Sequence, residues 1–206
     1  MGSFDVPPAA NEDLRNSEVM LKLLERGDPD DLKKIAVFHQ VPIDKVKLFS
    51  DFAKLRLRTV TRSWDDVVDR EKNNPKATDE ELALGGYAEM IEPQVRNAVL
   101  ALRRKGYSTY ESGFYDENFQ VISCQDKPFT NYVFPEAFVA SLKSKGVEIT
   151  IIDDEMIQLK FDRFMDLAEI KQIWDDIAEI LPPLGRPAEP SQTGFARNFR
   201  DSQQAV

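Results

Sequence analysis

Two stretches in the second half of the chain repeat the same landmarks in the same order, and this constrains the fold more than any other feature. Each stretch has a Lys-Gly pair and then two β-rich runs separated by an acidic turn. The pairs Lys105-Gly106 and Lys145-Gly146 lie 40 residues apart, and the turns Asp116-Glu117 and Asp154-Glu155 lie 38 residues apart. A helix that ends at glycine and leads into a hairpin is therefore predicted twice. Chance likeness is the alternative, because helices commonly end in Lys-Gly before a strand.

The repeat predicts an α+β fold, in which a helical region is followed by a doubled helix-strand-strand unit and a closing helix, αββαββα. The closing helix runs through Trp174. We expect both hairpins to join in one four-stranded antiparallel sheet with helices on one face. The predicted strands cover residues 107–114, 119–124, 147–152 and 156–161.

Composition and periodicity divide the chain into four regions. These are a disordered tail at 1–12, a helical region at 13–84, the α+β repeat domain at 87–181 and a second disordered tail at 182–206. Within the helical region, three- and four-residue apolar spacing predicts one long helix over residues 43–72. The proline-rich second tail has too little apolar area to offset the entropy of ordering it. Its alternative is a short docking helix that carries Phe195 and Phe199 on one face.

The chain has one cysteine, Cys124, and one histidine, His39, among 206 residues. These counts exclude a disulfide framework, a Cys-based zinc site and a multi-His metal site. No phosphate loop or nucleophile–base pair is visible, so we predict no metal and no cofactor, and an enzyme is not favoured.

No apolar run reaches the roughly 20 residues of a membrane helix, and no stretch has the pattern of a secretion signal. We therefore expect a cytoplasmic protein without a membrane partner.

The charge is unevenly distributed along a chain whose net charge is −9. Residues 33–62 contain eight basic and two acidic residues. Lys54, Arg58 and Arg62 are spaced by four, so they form one basic stripe on the long helix. Such a stripe attracts phosphates, and residues 32–62 have a helix-turn-helix character. The alternative is a solvated face paired with neighbouring acids, and the negative net charge argues against nucleic acid as a partner.

The run over residues 107–114 is rich in hydroxyl groups and alternates in the manner of a half-exposed strand. Its polar residues Thr109, Glu111 and Ser112 are candidates for a binding surface. A solvated sheet face is the alternative interpretation.

These features favour a non-enzymatic protein-binding or adaptor and regulatory protein with an unknown protein partner. The second hypothesis is a nucleic-acid-associated regulator that uses residues 32–62. A homodimer through the long helix is also expected, because Leu48, Phe52 and Leu55 lie off the centre of its apolar face. A soluble monomer rarely exposes a large apolar stripe.

Overall fold

The structure is a computed structural model that describes residues 14–60, 76–85, 88 and 91–188, with the backbone alone for 55–60. Its contacts divide the chain into two compact units. The first unit is Met1–Asp66 with Arg163–Leu167, and the second is Val67–Asp162 with Ala168–Val206. Of the helices that it describes, none is both long enough and apolar enough to span a membrane.

The first unit contains three helices, α1 (Ser17–Arg26), α2 (Pro29–His39) and α3 (Ile43–Val60). The Asn16 side chain caps α1, and Gly27 ends it in the left-handed conformation with φ 68°. Asp28 caps the start of α2 ahead of a first-turn proline. These local signals explain why the helices begin and end where they do. The rest of the predicted helix over 43–72 lies outside the described residues.

Apolar residues from all three helices form the core of this unit, and Phe164 adds its ring to them. The Phe164 ring lies 5.2 Å from that of Phe49 and 5.2 Å from that of His39. Phe52, predicted to lie in a dimer interface, is only 2% exposed. Leu48 is 42% exposed, and the Leu55 side chain lies outside the described part. Phe52 is buried because α3 has helices α1 and α2 packed against it.

The second unit has the predicted αββαββα order, preceded by a short helix α4 and interrupted by a short helix α6. Its elements are α4 (Asp79–Leu84), α5 (Pro93–Arg104), β1 (Thr109–Asp116), β2 (Phe119–Cys124), α6 (Lys127–Thr130), α7 (Glu136–Ser144), β3 (Glu148–Ile152), β4 (Met156–Lys160) and α8 (Leu167–Ile180).

Helix α4 lies in the second unit, although the sequence analysis grouped it with the helical region. Thr78 and Glu81 form the capping box that their spacing suggests. Glu81 also forms an ion pair of 3.0 Å with Arg96 of α5. This ion pair and the contacts between the two helices tie α4 to α5.

The two hairpins form one four-stranded sheet in the order β1-β2-β4-β3. All three strand pairs are antiparallel, and β2 pairs with β4 from Phe119–Lys160 to Ser123–Met156. This confirms the predicted sheet. The second strands of the two hairpins are central, and their first strands, β1 and β3, are the edges.

The sheet is buried on both faces at β2, where helices on one face alone were expected. Gln120 and Ile122 point to one face and Val121 and Ser123 to the other, and all four are buried. On the first of these faces, the indole N–H of Trp174 donates to Gln120 Oε1 at 2.7 Å. Strand β2 is therefore covered on both sides within the described residues.

Lys105 ends α5, the helix of the first repeat, and holds the end of the closing helix. Its ammonium group donates to the carbonyl oxygens of Ala178, Glu179 and Leu181, each at 2.7 Å. A cation suits a helix C-terminus, because carbonyl groups there lack helical partners. Residues 182–188, part of the predicted tail, also make contacts, as the Leu184 N–H donates to the Lys105 carbonyl at 2.7 Å. Residues 189–206 lie outside the described part.

We predict that Lys105→Met lowers the free energy of unfolding by about 1.5–3 kcal/mol, the range for hydrogen bonds to charged groups. The methionine keeps the apolar stem but leaves three carbonyl groups without their donor. Lys127→Met, at an exposed position of the same unit, is the control, with a change within about 0.5 kcal/mol. Urea unfolding followed by circular dichroism measures both, and equal effects would contradict this role of Lys105.

Candidate functional site

The described part of the predicted basic stripe is paired with acids. Lys54 lies 3.6 Å from Asp51 on the same helix. The side chain of Arg58 and the whole of Arg62 lie outside the described residues. On α2, Lys33 and Lys34 each lie 3.4 Å from an aspartate three residues earlier. The lysines of these pairs are exposed, so the pairs are weak, but they reduce the positive field that phosphates would meet.

A β-bulge separates the three predicted binding residues of β1. Thr109 and Glu111 lie opposite consecutive residues of β2, so Tyr110 is the extra residue. Alternation puts Glu111 and Ser112 on opposite faces of the sheet. The extra residue Tyr110 shifts this alternation, so Thr109 lies on the same face as Ser112 and not on that of Glu111. Thr109 is also buried, whereas Glu111 is exposed. The structure therefore does not bring the three side chains together on one surface.

The bulge residue Tyr110 joins the first hairpin to the turn of the second. Its hydroxyl donates to Glu155 Oε2 at 2.9 Å. Burial, followed by the hydrogen bond to Glu155, raises the pKa of Tyr110 to about 12. The Thr130 hydroxyl donates to the Asp154 carbonyl at 2.9 Å. These contacts indicate a structural connection at this end of the sheet.

Cys124 lies beside a buried carboxylate and is not a nucleophile at neutral pH. Burial raises the pKa of its thiol to about 12, and the thiolate is the reactive form. The thiol lies 3.3 Å from Asp126 Oδ2, which also accepts the Ser108 N–H at 2.7 Å. Asp126 further forms an ion pair with Arg186. This carboxylate therefore holds the chain after α8 against the start of the first hairpin.

No three His, Cys, Asp or Glu side chains are placed to hold a metal ion within 14–60, 76–85, 88 and 91–188.

Two buried charged residues bond to the outer edge of β1, one just before α5 and one near its end. Glu92, just before α5, accepts the Phe114 N–H at 3.1 Å. Arg103, near the end of α5, donates to the Thr109 carbonyl at 2.8 Å. Gly113 makes room for this arrangement, since a Cβ atom there would lie 2.7 Å from Glu92 Cδ. Two outer backbone groups of β1, the Thr109 carbonyl and the Phe114 N–H, are therefore already in use.

The other edge, β3, is open within the described chain. Its backbone hydrogen bonds there go to β4 and to its own turn. Glu148, Thr150 and Ile151 are exposed, and Ile149 is half-buried. An edge strand of this kind offers backbone N–H and C=O groups to another chain.

An apolar surface precedes β3 along the chain, and helix α7, which carries part of it, contacts that strand. Val133 is 87% exposed and Val139 is 39% exposed. Between them, the rings of Tyr132 and Phe134 lie 5.1 Å apart, and those of Phe134 and Phe138 lie 5.7 Å apart. Within α7, which is described in full, Leu142 alone is buried. We call these five residues, 132–134, 138 and 139, the apolar surface.

No family model, curated protein or solved structure matches this chain. A function for this chain is therefore inferred from its own structure.

Neither the apolar surface nor the cover of β1 was predicted from the sequence. Phe138 lies four residues before the buried Leu142, but it is only half-buried, and its ring packs on Phe134. The cover of β1 left one signal, Gly113 within a strand, because such a glycine often marks a close approach.

We predict that Gly113→Ala costs at least twice as much stability as Gly146→Ala. Both glycines have positive φ, at 117° and 74°, but nothing lies within 4 Å of a Cβ at Gly146. Backbone strain alone costs about 1–2 kcal/mol, and Gly113→Ala also displaces Glu92. Removing that carboxylate with Glu92→Ala should make the double variant less destabilised than the sum of the single ones. Strict additivity in urea unfolding would contradict the contact.

Proposed function

We propose that this chain is a non-enzymatic protein-binding or adaptor protein and that the apolar surface is where it contacts its partner. The observation behind it is the exposure of Val133 and Val139 beside three aromatic rings, of which Phe134 contacts the other two. Exposed apolar patches rimmed by polar residues are typical of protein-binding sites. Here the exposed Asn131, Glu136 and Ser141 provide polar groups around the surface.

The rings suit an anchor site because they are already held. Phe134 contacts both Tyr132 and Phe138, so few rotamers are lost when a partner covers it. Aromatic residues are enriched at the centres of protein interfaces for this reason and for their area. The partner is expected to present apolar side chains to this surface.

The nucleic-acid hypothesis for residues 32–62 stays a prediction with less support. Gln40 takes the left-handed conformation at the joint between α2 and α3, which gives the turn without glycine. Against this, Lys33, Lys34 and Lys54 have acidic neighbours, and the chain carries a net charge of −9.

The homodimer through α3 is also less supported than the sequence alone suggested. Phe52 lies in the core of the first unit, and Leu48 is the exposed member of that proposed interface within the described side chains.

The test is capture of partners by the immobilised full chain and by Val133→Asp/Val139→Asp. We expect defined proteins that resist nuclease treatment and are lost with this double variant. Ser141→Asp, at an exposed polar position of α7, is the matched control and should retain them. All three proteins should unfold at similar urea concentrations, because exposed substitutions change stability little.

Two outcomes would contradict the proposal. One is equal capture by the wild type and the double variant, which would place binding elsewhere. The other is capture that nuclease abolishes, which would favour the nucleic-acid hypothesis.

A further inference from the structure

The two edges of the sheet differ in whether side chains of the same chain bond to their outer backbone groups. Glu92 and Arg103 already use outer backbone groups of β1. The described chain places no such residue along Glu148–Ile152. Natural proteins usually block an edge with proline, an inward charge, a bulge or a covering element.

Within the described residues, β3 carries no proline, inward charge or bulge, although helix α7 contacts it. Its sequence, Glu-Ile-Thr-Ile-Ile, contains no proline and is rich in β-branched residues, which favour strand pairing. Its register with β4 is regular over all five residues. Its one charge, Glu148, already forms an ion pair of 3.2 Å with Lys160 across the sheet.

We propose that β3 pairs with β3 of a second copy of this chain, antiparallel and around a two-fold axis at Thr150. The two sheets then continue as one sheet of eight strands. In this register Ile149 lies opposite Ile151 of the second copy, and Thr150 lies opposite its own equivalent. The two isoleucine pairs lie on the sheet face of Ile157 and Leu159, where cross-strand pairing of β-branched residues is favourable.

The charges at the two ends of β3 identify a second copy as the occupant. Lys143 and Lys145 precede the strand, and Asp153, Asp154 and Glu155 follow it, all exposed. Antiparallel pairing brings the basic end of each copy to the acidic turn of the other, and two-fold symmetry makes this match twice. Parallel pairing would instead bring like charges together.

This association uses the edge strand, so it is separate from partner binding at the apolar surface. Loss of one need not remove the other, and their variants distinguish them.

The first test is register-specific crosslinking of the full chain in a Cys124→Ser background. Opposed residues of an antiparallel pair have Cα atoms about 4.5–5.5 Å apart, within the range for a disulfide. Thr150→Cys should therefore form a disulfide-linked dimer under a mild oxidant. Ile151→Cys is the matched control on the same strand and should not, because its opposed residue is Ile149. Equal crosslinking of both variants, or of neither, would overturn the proposed register.

The second test is sedimentation equilibrium of the unmodified chain over a series of concentrations. We expect a dimer of the 23.5 kDa chain that weakens as salt rises, because its end charges are exposed. Asp153→Asn/Asp154→Gly should weaken it about tenfold while keeping the turn, because both positions have positive φ and Asn-Gly suits such a turn.

Ile151→Lys should abolish the dimer, and Val133→Asp should leave it intact. A monomer at every concentration would overturn the proposal. So would a dimer that survives Ile151→Lys, since that dimer must use another surface. A monomer whose capture of other proteins requires Ile151 would likewise overturn it, by making a strand of another protein the occupant.

Discussion

The pairing of β2 with β4 is the contact on which the second unit depends. An isolated two-stranded hairpin is marginal in water, and a sheet of three or more strands with a buried face is needed for stability. By joining the second strands of both hairpins, this contact buries Ile122 and Ile157 opposite one another. It also makes β1 and β3 the two edges, which are the strands through which the sheet could pair with another chain.

The two edges differ because the two repeat units carry different residues at a few corresponding positions. With the offset of 40 residues, Glu92 corresponds to Tyr132 and Arg103 to Lys143. With the offset of 38, Gly113 corresponds to Ile151. The first copy thus has the acid, the guanidinium and the glycine that cover β1, whereas the second has an aromatic residue, an exposed lysine and an exposed isoleucine. The same differences that leave β3 open also provide part of the apolar surface.

Much of the fold was predictable, because local signals and tertiary packing agree along most of the chain. The repeat landmarks located both hairpins, and helix ends carry recognisable local signals, such as Gly27 after α1 and Thr78 before α4. Packing decided the rest. The bulge at Tyr110 and the burial of both faces of β2 depend on contacts with distant residues. Glu92 could not be predicted as a residue that covers β1, because the residues next to it in the sequence do not indicate that a strand edge lies beside it in the fold.

The central claim is that β1 is a closed edge and β3 an open one through which this protein associates. Amide hydrogen exchange of the full chain, resolved by residue and repeated over a dilution series, tests it most directly. In dilute solution, the Phe114 amide should exchange slowly, and the β3 amides that do not bond to β4 should exchange fast. Raising the concentration should slow those β3 amides and leave Phe114 unchanged. Outer β3 amides as protected as Phe114 at every dilution would contradict the account, since that edge would then already be covered within one chain.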